Sequence, residues 1–397
     1  MGSLSLSKGY NEEYMKNYTK DEMQKIYNSR RARIAQYLTD NNIGAAVYID
    51  SEEHRDPAIP YLTGHNCDAI VIIFSDGYTY LIAWDEILAK KIAFCDKLVP
   101  YTRYKNKDID AVRAILNVGY THGVNSKVEL PPYLTYPQYL HFIDALSNYD
   151  CRCKEDGVHK FTLDCRICKD EYEIECTREA ARIGDLIIDK IEAGIKDGSI
   201  KTETDVALFI ERECREHGCE RTGFDTLAAG PQRSFAIHAF PGYTNAPWPA
   251  KGLSILDFGV VYKGYTSDTT VTVAKGKLTQ EQKNQLALVK RAYDECLKLY
   301  VPGKAIQDAA KKADLVFASE KRKMPHTLGH GIGLEIHEYP RVSTKTSSDV
   351  KFQPGMILTL EPGLYDETIG GTRLENDILI TPDGHEVLTH SRIIVLK

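Results

Sequence analysis

Long apolar runs are missing from this sequence. No stretch of its 397 residues approaches the roughly 20 consecutive apolar residues that a membrane-spanning helix needs. Positive charge is not in excess either. Lysine and arginine number 50 against 56 aspartates and glutamates, a net charge of −6, so nothing draws the chain generally to nucleic acid or to an anionic membrane. The opening MGSLSLSKGYNEEYMKNYTKDE lacks the charged-then-apolar pattern of an export signal, and Leu6 stands where a myristoylation pattern wants serine or threonine. A cytoplasmic protein is therefore expected. Ten cysteines in a chain this long do not make a disulfide scaffold and are read as reduced thiols. Cys151, Cys153, Cys165 and Cys168 could hold a structural zinc ion, since four thiolates suffice. C-x-C is a poor zinc spacing, however, and the segment falls in a linker, so free thiols are the preferred reading.

What is present fits a soluble globular protein, with 43% apolar and 27% charged residues, and the length suggests two domains. Residues 24–40 have helical spacing through Ile26, Ile34, Tyr37 and Leu38. Strands follow at AAVYID, AIVIIF and YTYLIAW, with a helix at EILAKKIAF, and this alternation predicts an α/β domain over residues 1–165. A different pattern fills residues 166–397. A long helix begins near Lys169, and a second starts at a capping box of Thr202 and Asp205 and runs to Gly218. Strands come next, then two more helices over residues 278–300 and 305–323, and then strands again. The element order is thus the same in each half of an α+β domain.

Each half ends in strands carrying two acids. In the first, Ser254 to Val261 and Thr266 to Val273 read as strands joined by a turn at Tyr262-Lys263, with Gly264 relieving the backbone after it. Val261 opposite Gly264 puts Asp257 opposite Asp268, with Cβ atoms about 5 Å apart. Two bare carboxylates that close repel, and burial worsens the repulsion, so a cation is expected between them. In the second half, a simple antiparallel pairing across the loop DETIGG brings Glu361 to face Glu375. Packed together, the halves would gather four carboxylates.

Between the acid pairs lies HTLGHGIGLEIHEYP, with His326, His330 and His337. Its glycines argue against a helix and for backbone folded closely around a ligand. His337 sits in LEIHE, which alternates like a strand. Four carboxylates, one imidazole and no thiolate form a hard donor set. It suits two divalent ions such as manganese, cobalt or iron(II), with zinc also tolerated. Two such ions about 3.5 Å apart can hold a bridging hydroxide as nucleophile.

LDFGVVYKGYTSDTT, HTLGHGIGLEIHEYP, LTLEPGLY and GGTRLENDILIT resemble the metal motifs of the creatinase/prolidase/methionine aminopeptidase superfamily, from about residue 170 to the C-terminus. YLTGHN at 61–66 is similar to the creatinase-type N-terminal domain of prolidases and aminopeptidases P. The resemblance implies a pita-bread catalytic domain with an internal pseudo-two-fold repeat, and is strongest to Xaa-Pro dipeptidases. It implies that Asp257 binds one metal, that His330 and Glu361 bind the other, and that Asp268 and Glu375 bridge the two. It further implies that Glu361 passes a proton to the departing imino nitrogen and that His337 steadies the oxyanion. His238 and His326 are implied to meet the substrate. Arg373 matches an arginine that holds the ligand carboxylates, the alternative being a plain surface arginine. Val271 and Thr327 stand where the family usually has arginine and glycine, which bears on substrate preference and not on the ligands. The expected activity is hydrolysis of Xaa-Pro bonds in di- or short peptides by a homodimer. The rivals are an aminopeptidase P acting on longer peptides, a creatinase-like hydrolase and a non-catalytic binding relative.

Overall fold

The computed structural model describes residues 16–105, 107–120 and 125–397, together with all their side chains except that of Tyr120. The N-terminal stretch up to residue 15, on which the reading of export and myristoylation rests, lies outside the described residues. The chain divides into two compact units, Asn17–Arg166 and Ile167–Lys397.

In the first unit, strand Ala45–Asp50 lies antiparallel to Ala69–Phe74 and parallel to Lys127–Glu129 within a six-stranded mixed sheet. Both Ala45–Asp50 and Ala69–Phe74 are buried along their whole length, as strands covered on both faces are. The helix expected from residue 24 begins earlier, at Lys20, because Thr19 and Glu22 form a capping box. No disulfide joins the four linker cysteines or the other six, all of which are among the described residues. Among the described residues, thiols contribute to no cluster of metal-ligating side chains.

The second unit opens with helix Glu171–Asp197, capped by Asp170 and Glu173 at one end and by Gly198 (φ +79°) at the other. Helix Glu203–Glu216 follows, started by the Thr202–Asp205 capping box. Strands Leu227–Ala229, Gly252–Phe258, Thr269–Lys275 and Ile393–Leu396 form the first sheet. Helices Gln280–Leu297 and Ile306–Ala318 then precede a five-stranded sheet that contains Gly329–Gly331, Ile357–Leu360 and Asn376–Thr381. Each sheet has its own apolar core. Ile187, Ile210, Leu256 and Val273 lie in one, and Val289, Phe317, Leu358 and Ile378 in the other. The two halves meet where Thr270 bridges Glu375, with Thr272 Oγ1 donating to the Arg373 carbonyl at 2.7 Å.

The first hairpin corrects the expected register. Val261 faces Thr266 and Tyr262 faces Tyr265, so the turn is Lys263-Gly264. Both residues have positive φ, +48° and +85°, which is the type I′ geometry that suits strand twist. Glycine is worth most at the second turn position, and the expected register leaves it outside. Asp257 therefore faces Thr270, and Asp268 lies two residues along. A slip of two keeps both carboxylates on one face. They are diagonal neighbours, at roughly 7–8 Å between backbones. The second pair holds the expected register. Leu360 faces Asn376 and Gly363 faces Arg373, so Glu361 and Glu375 fall opposite each other between the two ladders.

Candidate metal centre

Strand periodicity supplies most of this site. Asp257 comes from Gly252–Phe258, Asp268 from the residue before Thr269–Lys275, and Glu361 from the residue after Ile357–Leu360. Glu375 lies between strands Gly370–Arg373 and Asn376–Thr381, and His330 in Gly329–Gly331. Asp268, His330 and Glu375 each offer one ligand atom within 4.8 Å of the others, and all three are buried. His330 Nε2 stands 3.4 Å from Glu361 Oε1 and 3.7 Å from Asp268 Oδ2.

The electrostatics are those of a site built around positive charge. Burial first, and then the neighbouring Glu375 and Asp257, hold the Asp268 carboxyl well above its usual range. Glu375 is raised in the same way by burial, Glu361 and Asp257. Glu361 is pushed up to about 7 by burial, against the lowering effect of Arg373. Asp257 Oδ1 is buried without a hydrogen-bond partner. Four acids crowded together, one of their oxygens orphaned, fit divalent cations.

The surrounding residues fix orientation. His330 Nδ1 lies 3.0 Å from the Gly331 carbonyl, which can only accept, so Nδ1 carries the proton and Nε2 presents its lone pair to the acids. Burial lowers the His330 imidazole to about 4, so it is neutral at pH 7. Arg373 is no surface residue. It is 2% exposed, and donates to Asp257 Oδ2, to Thr270 Oγ1 at 2.9 Å and to Tyr365 Oη at 2.6 Å. Tyr365 in turn donates to His326 Nε2 at 3.0 Å, since His326 Nδ1 is committed to the Thr327 carbonyl. His337 lies in a bend that ends where strand Glu338–Val342 begins, and not in a strand as expected, because the glycine-rich segment turns there. Its ring, exposed at the cleft, packs edge-on against His330 at 4.4 Å.

All nine residues singled out from the sequence line a single cleft of about 730 Å³: Asp257, Asp268, His330, Glu361, Glu375, His238, His326, His337 and Arg373. His238 is exposed at its wall, beside the apolar Phe224, Leu227, Ile237 and Ile336. Sequence reasoning missed Tyr365, Arg341 and two threonines. Thr270 Oγ1 donates to Glu375 Oε2 at 2.5 Å, and Thr359 Oγ1 accepts from the His330 amide at 3.1 Å. A signal existed for the threonines, which stand two residues from Asp268 and Glu361 and so share their strand faces. Arg341 and Tyr365 carried none.

A fold of paired helices over two sheets, with acids from both sheets converging in one cleft, defines a metallopeptidase of the pita-bread type. The chain belongs to metallopeptidase family M24, whose model matches residues 175–382. It is 35% identical over 234 residues to an uncharacterised peptidase of Staphylococcus epidermidis, a match that covers 58% of this chain and 65% of that one. It is 28% identical over 372 residues to the Xaa-Pro dipeptidase of Pyrococcus horikoshii, covering 92% of this chain and 97% of the relative. The solved Xaa-Pro dipeptidase from Bacillus anthracis superimposes with a TM-score of 0.80 at 26% identity, over 93% of this chain and all of that one.

Proposed function

We propose that this protein is a metal-dependent peptidase that hydrolyses Xaa-Pro dipeptides. The observation that carries the reading is the convergence of Asp268, His330 and Glu375 within 4.8 Å, with Glu361 beside them and Asp257 in the same cleft. The near-full-length likeness to Xaa-Pro dipeptidases supports the choice of substrate.

Asp257, Asp268, His330, Glu361 and Glu375 would hold two divalent ions, with manganese or cobalt preferred and zinc or iron(II) also suited to the donors. When bound, such ions lower the pKa of water and polarise a carbonyl oxygen. The chain's own residues do the rest. Glu361 would take a proton and return it to the leaving imino nitrogen. His337, its imidazole pKa lowered by desolvation in the cleft, would offer a ring N–H to the developing oxyanion. His326 and His238 stand where a substrate enters, and Arg373 keeps the Asp257 carboxylate turned inwards. An Xaa-Pro bond has no amide hydrogen, so the apolar wall selects by shape. Arg341 lines the same cleft. It offers a partner for a dipeptide's free α-carboxylate. The homodimer rests on the family resemblance. The cytoplasmic location rests on the reading of the ten cysteines as reduced thiols, none of which forms a disulfide.

The test compares hydrolysis of Ala-Pro and Ala-Pro-Ala after manganese or cobalt is supplied. Cleavage of the dipeptide and not the tripeptide is expected. Preferential cleavage of the tripeptide would make the protein an aminopeptidase P, and cleavage of neither by folded protein would favour a binding relative.

A further inference from the structure

Lys169 and Glu338 form an ion pair that the hydrolytic reading does not use. Their side chains are 1% and 5% exposed, and Nζ lies 3.0 Å from Oε2. Few charge pairs in the second unit are so completely withdrawn from water, and withdrawal is costly unless the geometry is well held. Both ends are held. The Lys169 amide donates to the Gly355 carbonyl at 2.8 Å, and the neighbouring Cys168 bridges Met356, so the lysine backbone is pinned beside the strand that leads to Glu361. Glu338 follows His337 directly. Its Oε1 accepts from the Glu335 amide at 3.3 Å and lies over Gly333, where a Cβ would come within 2.7 Å of it. The carboxylate therefore fills the inside of the turn that presents His337. Glu338 also pairs with Gly331, next to His330, across an irregular step in the ladder. The bend between them, residues 332–337, is closed by the Gly333 amide donating to the Glu335 carbonyl at 3.1 Å, and the Glu338 carboxylate adds to what shapes it.

We infer that Lys169 is a positioning residue for His337. Its ammonium holds the Glu338 carboxylate inside the 333–338 turn, and that turn sets the His337 ring against the substrate's reacting carbonyl. Removing the ammonium leaves a buried carboxylate that moves towards water and carries the adjoining His337 with it. The role of His337 at the oxyanion belongs to the proposed peptidase activity, so the inference rests on that activity for its kinetic arm.

The experiment uses the full-length, metal-loaded protein and the variants Lys169→Met, His337→Ala and the double variant. Displacing a group that acts only in the transition state lowers kcat and leaves KM nearly unchanged. Lys169→Met is expected to lower kcat for Ala-Pro by about 10- to 100-fold, the scale of a misplacement near 1 Å. In the His337→Ala background it is expected to lower kcat by less than about 2-fold, because coupled residues are not additive. An equal loss in both backgrounds, or a rise in KM alone, would overturn the inference. Should Lys169→Met fail to fold, Glu338→Gln replaces it with the same expectations. The His337 ring resonances, followed by NMR, give a second readout without substrate. A shift in Lys169→Met supports the inference and an unchanged signal contradicts it, even if the wild-type protein cleaves no dipeptide and the peptidase reading itself fails.

Discussion

At the residue scale, the site assigns different tasks to carboxylates that look alike in the sequence. Asp257 is tied to the Arg373 guanidinium, and Glu375 to the Thr270 hydroxyl. Glu361 has the Thr359 hydroxyl at 3.3 Å and is the acid whose proton affinity is brought to about 7. The proposed reaction needs one acid able both to take and to give a proton, and Glu361 is the one assigned to it. Glu361→Gln is therefore expected to cut kcat by about 100- to 10,000-fold while the circular dichroism spectrum stays that of the parent. Arg341 is expected to act in binding only. Arg341→Ala should raise KM for Ala-Pro about 10-fold or more and leave kcat nearly unchanged, as losing a charge-assisted bond common to ground and transition states does. Steady-state kinetics on the two variants separate the roles.

At the scale of elements, much of the site is legible in the sequence because strands alternate strictly. The simple antiparallel pairing that puts Glu361 opposite Glu375 agrees with the register of the second sheet. The pairing expected for Asp257 and Asp268 is two residues out, because it misplaces the two turn residues with positive φ, yet it puts both acids on the right face. Burial of Arg373, and the Tyr365 relay to His326, depend on packing between distant strands that no local pattern announces. The Lys169–Glu338 pair joins residues 169 positions apart and is equally invisible in the sequence. One glycine shows how closely the first hairpin is built. A Cβ at Gly259 would lie 1.9 Å from the Ser267 carbonyl oxygen, beside Asp268. Gly259→Ala is expected to destabilise the fold by about 1–3 kcal/mol or more through overpacking. By displacing Asp268 it should also weaken metal binding by about 10- to 100-fold. Urea denaturation and calorimetric titration check the two effects.

At the scale of the whole molecule, metal and fold are linked through protons. Without metal, Asp268, Glu361 and Glu375 hold their protons more tightly than they would in an unfolded chain, where carboxyls titrate near pH 4. The native state then binds more protons than the unfolded one, so this contribution is complete at low pH and is lost as pH rises through the native values, about 7 for Glu361. The buried histidines work in the opposite sense. His326 and His330 are lowered to about 4, so their contribution is lost as pH falls below the ordinary imidazole value near 6.5. Of these site groups, only the carboxylates change protonation well above pH 6.5. The metal-free protein should therefore lose thermal stability between about pH 6.5 and 8.5, and metal should stabilise it more at the upper end of that range. Metal uptake at pH 7 should release protons. Titration calorimetry in two buffers of different ionisation enthalpy measures that release, and none would mean that the acids are already ionised without metal.

The most direct test of the central claim is release of free proline from Ala-Pro by protein stripped with a chelator, then supplied with manganese or cobalt, with Glu361→Gln treated identically. The account predicts no release after stripping, recovery on metal addition, and a Glu361→Gln variant that stays inactive with metal present. Cleavage that survives stripping, or a Glu361→Gln variant as active as the parent, would contradict it.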